Sequence, residues 1–199
     1  MNAAQQSMLD QLEVIKAEGQ AVAAGLTDTQ FNWQPDPDRW SIAQCLNHLN
    51  VGDALVLPAF DRAIAEGRAQ GKLSAGPFQY GWFSRLAIAS MEPPPRWRMR
   101  TPMRGSAGTT HRAADVLPEF ARVHDQLAER VRRADGLDLA RVRTISPVNR
   151  LVRLPLGAYF QFILAHDRRH LWQARNVRNA PGFGVAQPGA GGSGGPWAT

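Results

Sequence analysis

Apolar residues recur at helical spacing through most of the first 178 positions. Met8, Leu12, Ile15, Val22 and Leu26 step by three, four or seven, which puts them on one helix face, and Gly25 supplies a stop. A second helix is predicted from Ser41, where Ser41 and Gln44 have capping-box spacing and Trp40 precedes as partner to Cys45. It continues through Leu46, Leu49, Val56, Phe60 and Ile64 to Ala69, with an interior Pro58 expected to kink it. A third long pattern starts near Ala114, takes Pro118 in its first turn, and runs through Val116, Phe120, Val123, Leu127 and Val131 to Gly136. A fourth opens at Pro155 and passes through Leu156, Phe160, Ile163, His170 and Val177, with Arg175 and Arg178 suiting its C-terminal dipole.

Between the second and third patterns, 71–112 is a long connection. A short helix is predicted at Trp82–Ile88, and Pro93, Pro94 and Pro95 terminate it. No strand pair stands out. Four amphipathic helices with one long crossover predict an all-α helical bundle over 1–179. From residue 180 the chain is dominated by Gly and Pro, so 180–199 is expected to be a flexible tail.

Composition narrows the class. At 44% hydrophobic and 20% charged residues in 199, the chain can bury one sizeable core. It has no apolar run of membrane-spanning length and no basic-then-apolar N-terminus, so a cytoplasmic protein with no membrane partner is expected. A single Cys excludes a disulfide scaffold and any two-cysteine redox mechanism within the chain. The net charge of +6 permits nucleic-acid binding, but the arginines are scattered and interrupted by acids. Charge is the only feature favouring that class.

The histidines carry the chemistry. His166 and His170 stand four apart, one above the other on a helix, a spacing at which two imidazoles can grip one ion. His48 lies seven residues beyond Ser41, about 10 Å along its helix, and His170 lies eight before Arg178, about 12 Å from its helix end. Antiparallel packing of the two helices would bring all three to one level, a three-histidine site with open positions. His124 shares a face with Phe120 and Leu127 and is read as a hydrogen-bonded core histidine; His111 lies in a loop and carries no signal. Gln173, near His170 on the same face, and the acids Asp167 and Asp53 are candidates to orient an imidazole. The competing role for the two acids is a solvated helix surface. His166-Asp167-x-x-His170 also mimics the zincin H-E-x-x-H, but it has Asp for the general-base Glu and lacks that motif's third ligand.

Several stretches together resemble the DinB-like superfamily. They are Trp33-x-Pro35; Arg39-Trp40-Ser41-Ile42-Ala43-Gln44-Cys45-Leu46-Asn47-His48-Leu49; Tyr80-Gly81-Trp82-Phe83 followed by Pro93-Pro94-Pro95-Arg96-Trp97; and His166-Asp167-Arg168-Arg169-His170-Leu171-Trp172-Gln173. The resemblance implies a four-helix bundle of up-down-down-up topology with a long crossover. It implies a divalent metal, nickel or zinc, on three histidines that map to His48, His166 and His170. Relatives of this type include S-transferases using bacillithiol or glutathione and a mycothiol-dependent maleylpyruvate isomerase. The expectation is therefore a metal-dependent enzyme using a low-molecular-weight thiol on a small-molecule electrophile. The alternative is a non-catalytic metal-binding bundle acting as a stress or partner protein. Similar bundles pack as homodimers, and Trp82, Phe83 and Leu86 are the residues offered for such a contact or for covering the bundle's open end.

Overall fold

The structure, a computed structural model, describes residues 1–94 and 110–184. Pro95, Arg96 and Trp97 of the crossover, and the tail from 185 onward, lie outside the described residues. The chain is mostly helical, with one small antiparallel sheet. Its elements are α1 (Ala3–Ala23), α2 (Asp28–Phe31), α3 (Ile42–Ala69), α4 (Trp82–Met91), α5 (Ala113–Arg133), β1 (Arg143–Ile145), β2 (Arg153–Pro155) and α6 (Leu156–Arg178).

The helix ends follow local chemistry. Asn2, Thr27 and Ser41 each cap a helix with a full capping box, closed by Gln5, Gln30 and Gln44. Gly25 and Gly136 follow α1 and α5 with φ of 73° and 78°, a conformation that L side chains rarely adopt. α3 runs unbroken through Pro58. Pro118 is the sixth residue of α5, in its second turn rather than its first. No side chain caps α6. Instead the Leu156 and Gly157 amides donate to the carbonyls of Val142 and Leu139 at 2.8 and 3.1 Å.

Those carbonyls come from the part of the chain that sequence periodicity missed. β1 and β2 pair antiparallel, with Thr144 opposite Leu154. Thr144 and Leu154 are buried, and the Thr144 hydroxyl donates to the Ala59 carbonyl at 3.3 Å, which seats the hairpin on α3. At three residues each, the strands are too short for an alternating pattern to register.

α1, α3, α5 and α6 form the bundle. α1 packs between α5 and α6, and so does α3. Polar contacts mark which ends meet. Gln5, early in α1, donates to the Val131 carbonyl late in α5 at 3.0 Å. Arg175, late in α6, pairs with Glu18 late in α1 at 2.6 Å. Asn50, early in α3, donates to Val116 early in α5 at 3.1 Å, and Asp61 further along α3 pairs with Arg130 and Arg133 of α5 at 2.8 and 2.7 Å. The core between them is built from Met8, Leu12, Phe31, Leu46, Leu49, Phe60, Phe120, Leu127, Leu156 and Phe160.

α4 lies along α6. Arg168 holds Glu92 just past the end of α4 and also donates to Gln11 of α1 at 2.6 Å, while Arg169 donates to the Ser90 carbonyl at 3.1 Å. Trp82, Phe83 and Leu86 face outward, with Trp82 76% exposed, so they do not cover the bundle's end within the described chain. The stretch expected to be loose from residue 180 is docked at its start. Phe183 packs on the core with its ring edge-on to Trp33 at 5.6 Å. No described helix is long and apolar enough to cross a membrane.

Two glycines predict opposite responses. A Cβ on Gly19 would lie 2.3 Å from Cε1 of the fully buried Phe120, whereas one on Gly52 would meet nothing within 4 Å. Gly19→Ala should therefore lose about 1–2 kcal/mol despite its better helix propensity, and Gly52→Ala should gain about 0.5–1 kcal/mol. Urea unfolding of the two variants checks both signs.

Candidate metal centre

His48 lies on the second turn of α3, and His166 and His170 lie on successive turns from the middle of α6. α3 and α6 pack so that the three rings meet. The Nε2 atom of His166 is 3.3 Å from that of His48 and 3.2 Å from that of His170. The ring centroids of all three lie 4.6 to 5.3 Å apart. The Nδ1 atoms are on the outside of this cluster, buried and without a hydrogen-bond partner.

Burial is graded across the group. His48 and His170 are 2% and 4% exposed, but the His166 side chain keeps 19%. Solvent therefore reaches the cluster past His166. Trp40 closes the other side. Its indole stacks on His170 at 5.4 Å and 19° and leans on His48 at 4.9 Å. The sequence placed Trp40 against Cys45 as a helix staple. Its position immediately before the cap of α3, about two turns from His48, is the signal that could have put it on that ring.

The environment favours the neutral form of His48 and His170. Burial, and then the charge on His166, lower His48 to about 4, against an opposing pull from Asp167. Burial, then His166 and His48, hold His170 well below its ordinary range, and Gln173 acts in the opposite sense. Gln173 thus lies at His170 as expected, with its Oε1 buried and unpartnered. Cys45 is fully buried, and burial pushes its thiol up to about 12, so it is no nucleophile. His111 is held by its backbone, which exchanges two hydrogen bonds with Asn32 at 2.7 and 2.8 Å, away from the cluster.

The two acids differ from the solvated reading. Asp53 and Asp167 are both wholly buried. Asp167 Oδ1 is 3.8 Å from His166 Nδ1, while its Oδ2 faces Nε2 of His124 at 3.5 Å; Asp53 Oδ2 faces the same Nε2 at 3.9 Å. His124 is a buried core histidine, as expected, whose Nδ1 donates to the Phe120 carbonyl at 2.7 Å. The sequence treated His124, Asp53 and Asp167 separately. They lie on three helices, so no spacing along the chain could group them. Two sets of side chains can each hold a metal ion: His48, His166 and His170, and Asp53, His124 and Asp167.

The comparison with known families falls on this same stretch of chain. A family model described as the DinB superfamily matches residues 11–174. The chain belongs to the DinB superfamily. No curated protein and no solved structure matches it. The DinB match covers α3 and α6 up to residue 174, and so includes every residue of the two clusters.

The lowered histidines set a pH dependence for the metal-free protein. In the unfolded chain each would bind a proton near pH ~6.5, whereas in the folded chain His48 does so only near 4. Stability is therefore fully present above about 6.5 and falls as pH drops toward 4, with a slope of at most about 1.4 kcal/mol per pH unit per histidine. Below that window the slope should flatten. Denaturant midpoints of metal-free wild type and His48→Gln across this range check it; an unchanged slope in the variant would count against the buried neutral ring.

Proposed function

We propose that this chain is a divalent-metal-dependent enzyme of the DinB-like type, with His48, His166 and His170 as the ligands of one nickel or zinc ion. The carrying observation is the pair of Nε2 separations, 3.2 and 3.3 Å. Imidazole nitrogens at about 2.0–2.1 Å from a tetrahedral zinc ion stand about 3.3–3.4 Å from one another. The residues fit the group. A proton on His166 Nδ1 faces the Asp167 carboxylate, which leaves the Nε2 lone pair directed into the cluster. Family membership supports the same reading, as do the end-to-end contacts of the helices, which agree with an up-down-down-up bundle.

When bound, the ion supplies a full +2 charge and Lewis acidity, because three neutral histidines offset none of it. The chain's own part is to fix three rings and to exclude water from two of them. Trp40 holds the faces of His48 and His170, and the partial exposure of His166 leaves an approach for a small molecule. The buried Cys45 offers no thiolate, so a sulfur nucleophile has to come from a low-molecular-weight thiol. The reaction class is transfer of that thiol to a small electrophile, or an isomerisation that the thiol assists.

The test is nickel or zinc titration of the reconstituted protein, followed by thiol consumption with model electrophiles. His48→Ala, His166→Ala and His170→Ala should each weaken binding by more than the roughly 10–100-fold that loss of an outer partner costs, and His111→Ala should change nothing. Wild-type affinity in His170→Ala would overturn the ligand assignment. A loaded protein that consumes no thiol with any electrophile would favour the non-catalytic metal-binding bundle.

A further inference from the structure

Behind the three-histidine cluster lies a second set of polar side chains, more deeply buried than the first. Asp53 of α3, His124 of α5 and Asp167 of α6 are each 0% exposed. Both oxygens of each carboxylate and the Nε2 of His124 are buried and make no hydrogen bond. Five orphaned atoms in one place, inside a core, call for something that satisfies them.

Their chemistry says what is missing. His124 spends its Nδ1 proton on the Phe120 carbonyl, so in the neutral ring Nε2 carries a lone pair. That lone pair faces carboxylate oxygens at 3.5 and 3.9 Å, which are acceptors too. With a neutral ring and ionised acids the group consists of acceptors alone, and no lysine or arginine makes an ion pair with either acid among the described residues. One ligand atom from each of the three residues lies within 4.8 Å of the others, close enough for a single ion to draw them together. Two carboxylates enclosed in the core, with all four oxygens unpartnered, need a counter-charge to be ionised together.

We propose that Asp53, His124 and Asp167 form a second, enclosed divalent-cation site, distinct from the three-histidine group. Two carboxylates and one neutral imidazole leave a charge of −2, which a dication cancels inside the core. One nitrogen and carboxylate oxygens select borderline zinc or the harder manganese over a soft ion. Complete enclosure makes the site structural, since no substrate can reach it. Such an ion ties together α3, α5 and α6, and through Asp167 it stiffens the support of His166.

The experiment is native mass spectrometry of the untagged full chain from zinc-supplemented cells. Wild type should carry about two zinc ions, His170→Ala about one, Asp53→Asn about one, and the double variant none. One ion in wild type, lost in His170→Ala and kept in Asp53→Asn, would overturn the second site, with protons neutralising the acids, and leave the three-histidine reading standing. One ion kept in His170→Ala and lost in Asp53→Asn would do the reverse. Should Asp53→Asn fail to fold, crystals of zinc-loaded wild type decide the matter. An anomalous peak between Asp53, His124 and Asp167 is expected, and its absence there would refute the site.

Discussion

The packing of α3 against α6 is the constraint on which the molecule turns. It sets His48 beside His166 and His170 and, one step deeper, brings Asp53 toward Asp167. Neither group forms within a single helix. Each exists because the apolar faces of α3 and α6, carrying Leu46, Leu49, Phe60, Phe160, Ile163 and Leu171, fix the register of the two helices. Buried polar atoms without partners cost about 1–3 kcal/mol each, so such a cluster persists only where the surrounding core over-determines it. A register slip of one turn along α3 would carry His48 about 5 Å away from its partners.

Peripheral elements serve the same interface. The hairpin seats on α3 through Thr144, while the chain just before it supplies the carbonyls that take the first α6 amides, so it fixes where α6 begins. α4 is held to α6 by the two arginines that lie between His166 and His170, Arg168 and Arg169. The crossover is thus anchored to the helix turn that carries His166 and His170. Trp40 ties the entry of α3 to the same rings.

Much of this was legible in the chain. The four long helices and the Ser41 cap followed from periodicity, because long amphipathic segments leave strong patterns; helical rise put His48 level with His170 only on the condition that their helices pack antiparallel. The hairpin did not, since its inner face is two residues, Thr144 and Leu154. α2, with four residues, is likewise below what periodicity detects, although Thr27 and Gln30 form a capping box around it. The depth of Asp53 and Asp167 was hidden for a different reason. An acid on an amphipathic helix reads as solvated unless a partner is known, and here the third member, His124, comes from another helix. Phe183 was masked by the glycines and prolines around it, though a lone aromatic beside such a stretch has a reason to find the core.

The most direct measurement of the α3–α6 account is X-ray absorption at the nickel edge, on the full chain loaded with less than one equivalent of nickel. The account predicts a coordination shell with the multiple scattering of three imidazole rings, reduced to two in His48→Ala. A shell of oxygen donors with one imidazole or none, or a spectrum unchanged in His48→Ala, would contradict it.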